Sequence, residues 1–408
     1  MHWFFAIWNG ANFLRYLTRF ACDTFGFFVA WVYLQYGVQM ITRQLQHSPI
    51  DSAYVSIILS LMVVVVAQLF NVAANSRLFH RHARRFMSDY GLPISVLAVS
   101  GCAYWGRLKG SHPATLPIGH SFEPVGGRPW LVPFWEMQGG VKWIFVALPF
   151  GFALFVLFAF DHQVSALIAQ GSEFPLRKPP GFHYDFFLLG IMTFTAGILG
   201  IPAPNGLIPQ APIHTQSLVV HGIASKYEDE ESHPFEEKNA GNARVRGLPK
   251  EEPIAVVEQR VSNLAQGALS IVLLTGPFLH LLSFIPRGVL AGLFWHMGID
   301  ALGGNAITQR ILFLLRDRTL QSPCDPLLKV RRSRIVLFTA IELVAFGATF
   351  GIVQNSLSAI GFPIIIGILV PLRIWILPLL PFTQDELVIL DQPTASPFTM
   401  ASVGGIQI

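Results

Sequence analysis

The sequence predicts an all-α polytopic membrane protein in which one segment is broken partway through the bilayer. Composition carries the first part. Of 408 residues, 52% are hydrophobic and 13% charged, and mean hydropathy is +0.50; soluble domains carry about 25% charged residues. The 34 Phe and nine Trp fit lipid-facing helices and interfacial belts. The break is predicted by "GILGIPAPNGLIPQAPIHTQSLVVHG" (197–222), where Pro202, Pro204, Pro209 and Pro212 follow a long apolar run. No Asp, Glu, Lys or Arg occurs between Asp185 and Lys226.

About 20 apolar residues cover a bilayer as a helix. On that template spans fall near 20–42, 53–74, 92–106, 143–169, 184–201, 263–285, 287–302, 335–353 and 357–381, and the quoted stretch supplies a tenth, partial crossing. If the spans alternate, one side collects 21 Lys and Arg and the other six, with Arg373 inside a span. The basic side is therefore cytoplasmic. The net charge of +4 gives no case for nucleic acid. Cys22, Cys102 and Cys324 are scattered, and the first two are packing thiols in apolar runs.

Three polar connections stand out. "RLFHRHARRF" (77–86) is an inner-face topology signal, and its cations argue against a metal site at His80 and His82. The loop 224–262 is acidic and contains Gly and Pro, a composition that favours disorder. Within 303–334, "ITQRILFLLRDR" places apolar residues at helical spacing beside Arg310, Arg316 and Arg318, which predicts an amphipathic helix on the inner surface.

The prolines locate the candidate site. In hydrocarbon, irregular backbone is tolerated only inside protein or along a cavity. Pro202 and Pro204 exclude regular helix, Asn205-Gly206 allows a turn, and Pro209 and Pro212 are acceptable in the first turn of a new helix. Residues 202–207 are thus expected to be extended and about 208–223 to form a half-helix that opens near the middle of the bilayer. Its free N–H groups and aligned dipoles favour a negative solute. Pro209, Gln210 and Ala211 belong to that first turn, and His214 and Thr215 add side-chain donors. Discontinuous helices of this kind mark substrate sites in secondary transporters.

Asp161 is the one acid in "WIFVALPFGFALFVLFAFDHQVSALIAQ" (143–170). It lies about nine residues, or about 13 Å, from the polar end of that span. An intramembrane carboxylate is a functional candidate; here it would carry a proton or bind a cation that accompanies the anion. Glu342 in "LFTAIELVAFG" ranks lower because no broken helix adjoins it in sequence, and Asp23, Asp300 and Arg373, near span ends, are assigned structural roles. No catalytic constellation, cofactor motif or metal-ligand pattern appears.

These residues resemble a family. "LGIPAPNGLIPQAPIHTQSL" (199–218) is similar to the corresponding motif of fungal and plant boron exporters, within the anion-transporter family that also holds the animal bicarbonate and chloride exchangers. Further matches run in order along the chain: "RYLTRFACDTFGFFVA" (15–30), "DYGLPISVL" (89–97), "KPPGFHYDFFLLG" (178–190), "EQRVSNL" (258–264), "IPRGVLAGLFWHMGIDALGGN" (285–305) and "VPLRIWILPLL" (370–380).

The resemblance implies a partial seven-plus-seven inverted-repeat transporter fold of core and gate. Residues 1–14 would end a fourth segment, the first three segments being absent. Residues 15–106 and 286–381 would be gate, 141–285 core, and 382–408 a cytoplasmic tail. Asp161 matches the acidic position of the eighth segment, and Gln210 and Gln354 fall where some chloride/bicarbonate exchangers carry basic residues. The implied function is borate efflux by an elevator-like mechanism, by a homodimer joined through gate helices in the plasma or vacuolar membrane. The alternatives are transport of bicarbonate or another small anion, and a non-transporting truncated partner of a longer transporter.

Overall fold

The computed structural model describes residues 1–76, 78–117, 119, 125–136, 139–206, 210–223, 251–317, 319, 321, 325–355 and 358–404. Cys324, Pro209 and most of the acidic loop fall outside them.

A short helix α1 (His2–Ile7) precedes the long α2 (Arg19–His47), α3 (Ile50–Asn75) and α4 (Arg81–Cys102). Next come α5 (Lys142–Ile168), α6 (Phe182–Leu199) and the short α7 (Gln210–Ser217). A two-stranded antiparallel sheet, β1 (Val219–Ile223) with β2 (Glu251–Val256), joins α7 to α8 (Val261–Leu273). The rest is α9 (Gly276–Leu282), α10 (Arg287–Gly304), α11 (Ala306–Leu315), α12 (Arg332–Val353) and α13 (Phe362–Pro371). A π turn carrying Arg373 follows α13, then two short tail helices, α14 (Gln384–Leu390) and α15 (Pro397–Ser402).

Among the described residues five helical stretches are long and apolar enough to span: α3, α5, α6, α12 and Ser358–Leu379. The pair α8–α9 adds a sixth if counted as one crossing. The protein is thus a polytopic helical membrane protein. α2 and α10, although long, are less apolar, and they pack against each other, α10 also against α3.

Four expectations need correction. The span 263–285 is two helices bent by 88°. Thr275 takes the N-cap position of the second helix, its hydroxyl donating back to the Val272 carbonyl, and Pro277 sits in the first turn, where a missing N–H costs nothing but the first helix cannot continue. The segment 77–86 is not simply a loop, because α4 starts at Arg81 and takes Arg84 and Arg85 into its first two turns. The half-helix ends at Ser217; Val219, Val220 and Ile223, β-branched residues suited to a strand, pair with 251–256 instead. Finally, α11 forms where a surface helix was expected but turns Arg310 inward, where it is 4% exposed.

The α3–α10 contact shows how the bundle closes. Ser52, Ser56 and Ser60 recur every fourth residue on α3 and are buried. Gly288 and Gly292 of α10 face them: a Cβ on Gly288 would stand 2.5 Å from the Ser56 carbonyl oxygen. Small residues at this spacing let two backbones approach, which replaces hydrophobic drive where lipid is as apolar as the interface. A second core joins α2, α5, α12 and α13 through Phe20, Phe25, Phe160, Val164, Phe338 and Ile366.

The tail is part of this core. Leu390, Ala395 and Val403 are buried in it. Asp391 accepts from the Phe20 backbone N–H (3.0 Å) at the start of α2 and from Arg373 Nε (2.8 Å). Thr394 donates to Cys22 Sγ (3.4 Å), the packing role expected of that thiol. Arg331 grips Glu386 through Nε (2.7 Å) and Nη2 (3.0 Å), and this hydrogen-bonded guanidinium pulls the Glu386 carboxyl down to about 2. Asp391→Ala removes a helix cap and leaves Arg373 without its carboxylate. It is expected to cost about 1–2 kcal/mol, read as a lower thermal midpoint of purified protein; an unchanged midpoint would show that the tail contributes nothing to the fold.

Candidate functional site

The site is built where α6 stops. Gly200 closes α6 in the left-handed conformation (φ 63°, ψ 27°), which glycine adopts without the Cβ penalty, and Gly200 and Ile201 bond back to the last turn. Residues 201–206 then run without helix or strand, as the prolines require, and α7 opens at Gln210. Residues 207–209 lie outside the described residues, so the expected contribution of Pro209 is not placed.

The extended segment passes α5. Asn205 Nδ2 donates to Asp161 Oδ2 at 2.5 Å, and the Gly206 N–H donates to Asn205 Oδ1 at 2.9 Å, so the backbone turn orients the amide that holds the carboxylate. A Cβ on Gly206 would stand 3.4 Å from His162 Nδ1. Among the described residues no Lys or Arg pairs with Asp161. Its neighbours His162 and Gln163 have no hydrogen-bond partner for any side-chain nitrogen or oxygen among those residues, and Gln163 is buried.

Tyr33 of α2 closes the arrangement from the other side. It stands near both the Gln210 side chain and the Asp161 carboxylate. Its ring packs on Phe294 of α10, with centroids 5.8 Å apart.

The structure therefore brings Asp161 and Gln210 into one neighbourhood, and Ala211 follows in the first turn of α7. His214 and Thr215 are engaged elsewhere. His214 Nε2 meets Ser262 Oγ at 2.9 Å, and Thr215 Oγ1 donates to the carbonyl of Ala169 at 2.9 Å. Both contacts anchor α7 to its neighbours. Sequence reasoning missed Asn205 and Tyr33. Asn205 read as a turn residue, which it also is; nothing local marks its partner 44 residues earlier. Gln354 forms a reciprocal amide pair with Gln35 of α2 (2.7 and 3.1 Å).

A broken helix whose Asn205 holds a carboxylate with no Lys or Arg partner among the described residues, within a bundle of membrane spans, fits the secondary-transporter class. Residues 35–395 match the family described as the HCO3- transporter integral membrane domain, and the chain belongs to that family. It is 42% identical to a Schizosaccharomyces pombe protein named as a transporter, over 96% of this chain and 72% of that one. It is 37% identical to boron transporter 1 of Saccharomyces cerevisiae, over 98% of this chain and 66% of that one. Against the band 3 anion transport protein of Rattus norvegicus identity is 26%, over 94% of this chain and 41% of that one. The chain thus spans about two thirds of the two fungal relatives.

Proposed function

We propose that this chain transports borate, and that Asp161, Asn205, Gln210 and the first turn of α7 contribute to its substrate site. The observation that carries the reading is the Asn205–Asp161 contact at the break before α7, which sets neutral donors and a carboxylate acceptor side by side. Boric acid and borate carry several hydroxyl groups, each able to donate and to accept. A B–OH group can donate to Asp161 while its oxygen accepts from the free N–H groups of α7. A solute that only accepts would meet repulsion from the carboxylate unless Asp161 were protonated or paired with a cation. The relatives named as boron transporters support the same choice.

Transport by this reading moves a core containing α5–α9 past a gate containing α2–α4 and α10–α13. Tyr33 stands where the two meet. The gate would also supply a homodimer contact, which cross-linking in the membrane would test. The expected membrane is the plasma membrane.

In cells lacking their own boron efflux, Asp161→Asn and Gln210→Ala, made in the whole protein, are expected to abolish boron efflux and boron tolerance with membrane insertion intact. Unchanged efflux in both variants would remove the site assignment. Bicarbonate is the second reading, favoured by the family description; bicarbonate flux without boron flux in the same cells would select it.

A further inference from the structure

A cavity with basic side chains on a largely apolar wall, remote from the broken helix, opens where α2 ends and α10 begins, on the face that the basic asymmetry assigns to the outside. It measures about 350 Å³, against about 30 Å³ for a water's share of the liquid. We infer that this cavity is a binding site for a phosphate monoester group. The inference is independent of what the protein transports.

Three basic side chains line it: Arg43 and His47 from the last turns of α2, and Arg287 from the start of α10. Among the described residues that line it there is no Asp or Glu. Arg43 is exposed and has no hydrogen-bond or ion-pair partner among the described residues. Arg287 is held in place by its backbone N–H on the Ala114 carbonyl (2.8 Å) and its Nε on the Thr115 carbonyl (3.0 Å). Those bonds leave its two Nη groups for the cavity.

The second observation is Gln44, one turn before Ser48 on the wall formed by α2. Its side chain is 5% exposed, and neither Nε2 nor Oε1 has a partner. A buried amide with neither group satisfied costs about 1–3 kcal/mol per group, and a ligand toward which the Gln44 side chain turns from the cavity wall would recover that cost. Arg43 and Gln44 together offer a charged fork and a neutral donor. Two guanidinium groups match the charge of a phosphate monoester and suit its oxygens bidentately; a singly charged anion leaves one unmatched.

The wall opposite is rigid. Thr115 and Pro286 form a β-bridge, the Leu116 N–H donates to the Ile285 carbonyl (3.2 Å), and Ser52 Oγ donates to the His112 carbonyl (3.2 Å). Met40, Leu116 and Pro117 add apolar surface beside the charges, which suits an organic body on the phosphate. That body is either a lipid, as in phosphatidic acid, or a soluble group.

The test uses the whole protein, with glycerol phosphate titrated in detergent and lipid retention measured after transfer from nanodiscs containing phosphatidic acid or phosphatidylcholine. Millimolar or tighter glycerol phosphate binding, or selective retention of phosphatidic acid, is expected of the native protein. Arg43→Gln should weaken it about tenfold or more, the effect of losing a charged hydrogen bond. Gln44→Leu should weaken binding severalfold while leaving the thermal midpoint equal or higher, since a buried unpaired amide is removed. Retention of phosphatidic acid without glycerol phosphate binding identifies a lipid site; the reverse identifies a soluble ligand. Binding unaffected by both substitutions, or no binding of either ligand to the native protein, overturns the proposal and leaves the cavity to ordered water.

Discussion

Arg310→Leu is expected to destabilise the protein by about 3–5 kcal/mol, the cost of stripping one partner from a buried ion pair. Arg310 Nη2 lies 2.6 Å from both carboxylate oxygens of Glu342, which is 0% exposed. The same nitrogen stands 3.7 Å from Asp23 Oδ2, and Nη1 reaches the Leu390 carbonyl at 3.4 Å. The Phe338 ring lies under the guanidinium, 5.1 Å from its centroid. One cation thus ties α2, α11, α12 and the tail. Without it two carboxylates remain inside with no counterion. The pair itself need not be worth that much: charges drawn from water recover little by meeting, and an apolar replacement of both is often neutral. Arg310→Leu with Glu342→Leu should therefore recover much of the loss. Thermal midpoints of the two singles and the double measure this directly. A single variant as stable as the native protein would mean that the charges are not buried together.

The second large effect is steric. Gly292→Leu is expected to cost about 3 kcal/mol or more, the upper range for overpacking, because the obstruction is main chain that cannot rotate away. A Cβ at Gly292 would lie 2.9 Å from Ser60 Cα and from Val63 Cβ. The side chain would separate α10 from α3. Gly303, on the same helix, has nothing within 4 Å of where its Cβ would be, so Gly303→Leu controls for the bulk of the residue. The measurement is the yield of monodisperse protein and its thermal midpoint. Equal behaviour of the two variants would show that α3 and α10 do not depend on close approach.

Both predictions rest on residues that the sequence located on helices but did not connect. Glu342 ranked below Asp161 because no break adjoined it, and Arg310 was set at the membrane surface because apolar residues at helical spacing beside three arginines read as an amphipathic surface helix. Their contact spans 32 residues and two helices. The stripe Ser52, Ser56 and Ser60 has a helical period, yet its counterpart Gly288 and Gly292 is more than 200 residues away. The site divides in the same way. Asp161 and the onset of α7 were legible because each breaks a local pattern: one charge in an apolar run, and prolines in a span. Asn205 and Tyr33 break no pattern, and only proximity makes them candidates.

The sequence by itself determined that this chain lives in a membrane, where most of its helices lie, which segment is interrupted, and that its residues follow an anion-transporter family. These are consequences of the bilayer, which demands long apolar runs with satisfied backbone and so writes its requirement into contiguous residues. Tertiary structure alone decided that Arg310 faces Glu342, that Asn205 holds Asp161, that α7 gives way to a strand at Val219, and that the tail caps α2. Each depends on groups far apart in the chain meeting at hydrogen-bond distance, and within a few ångströms geometry outweighs the local preference of either partner.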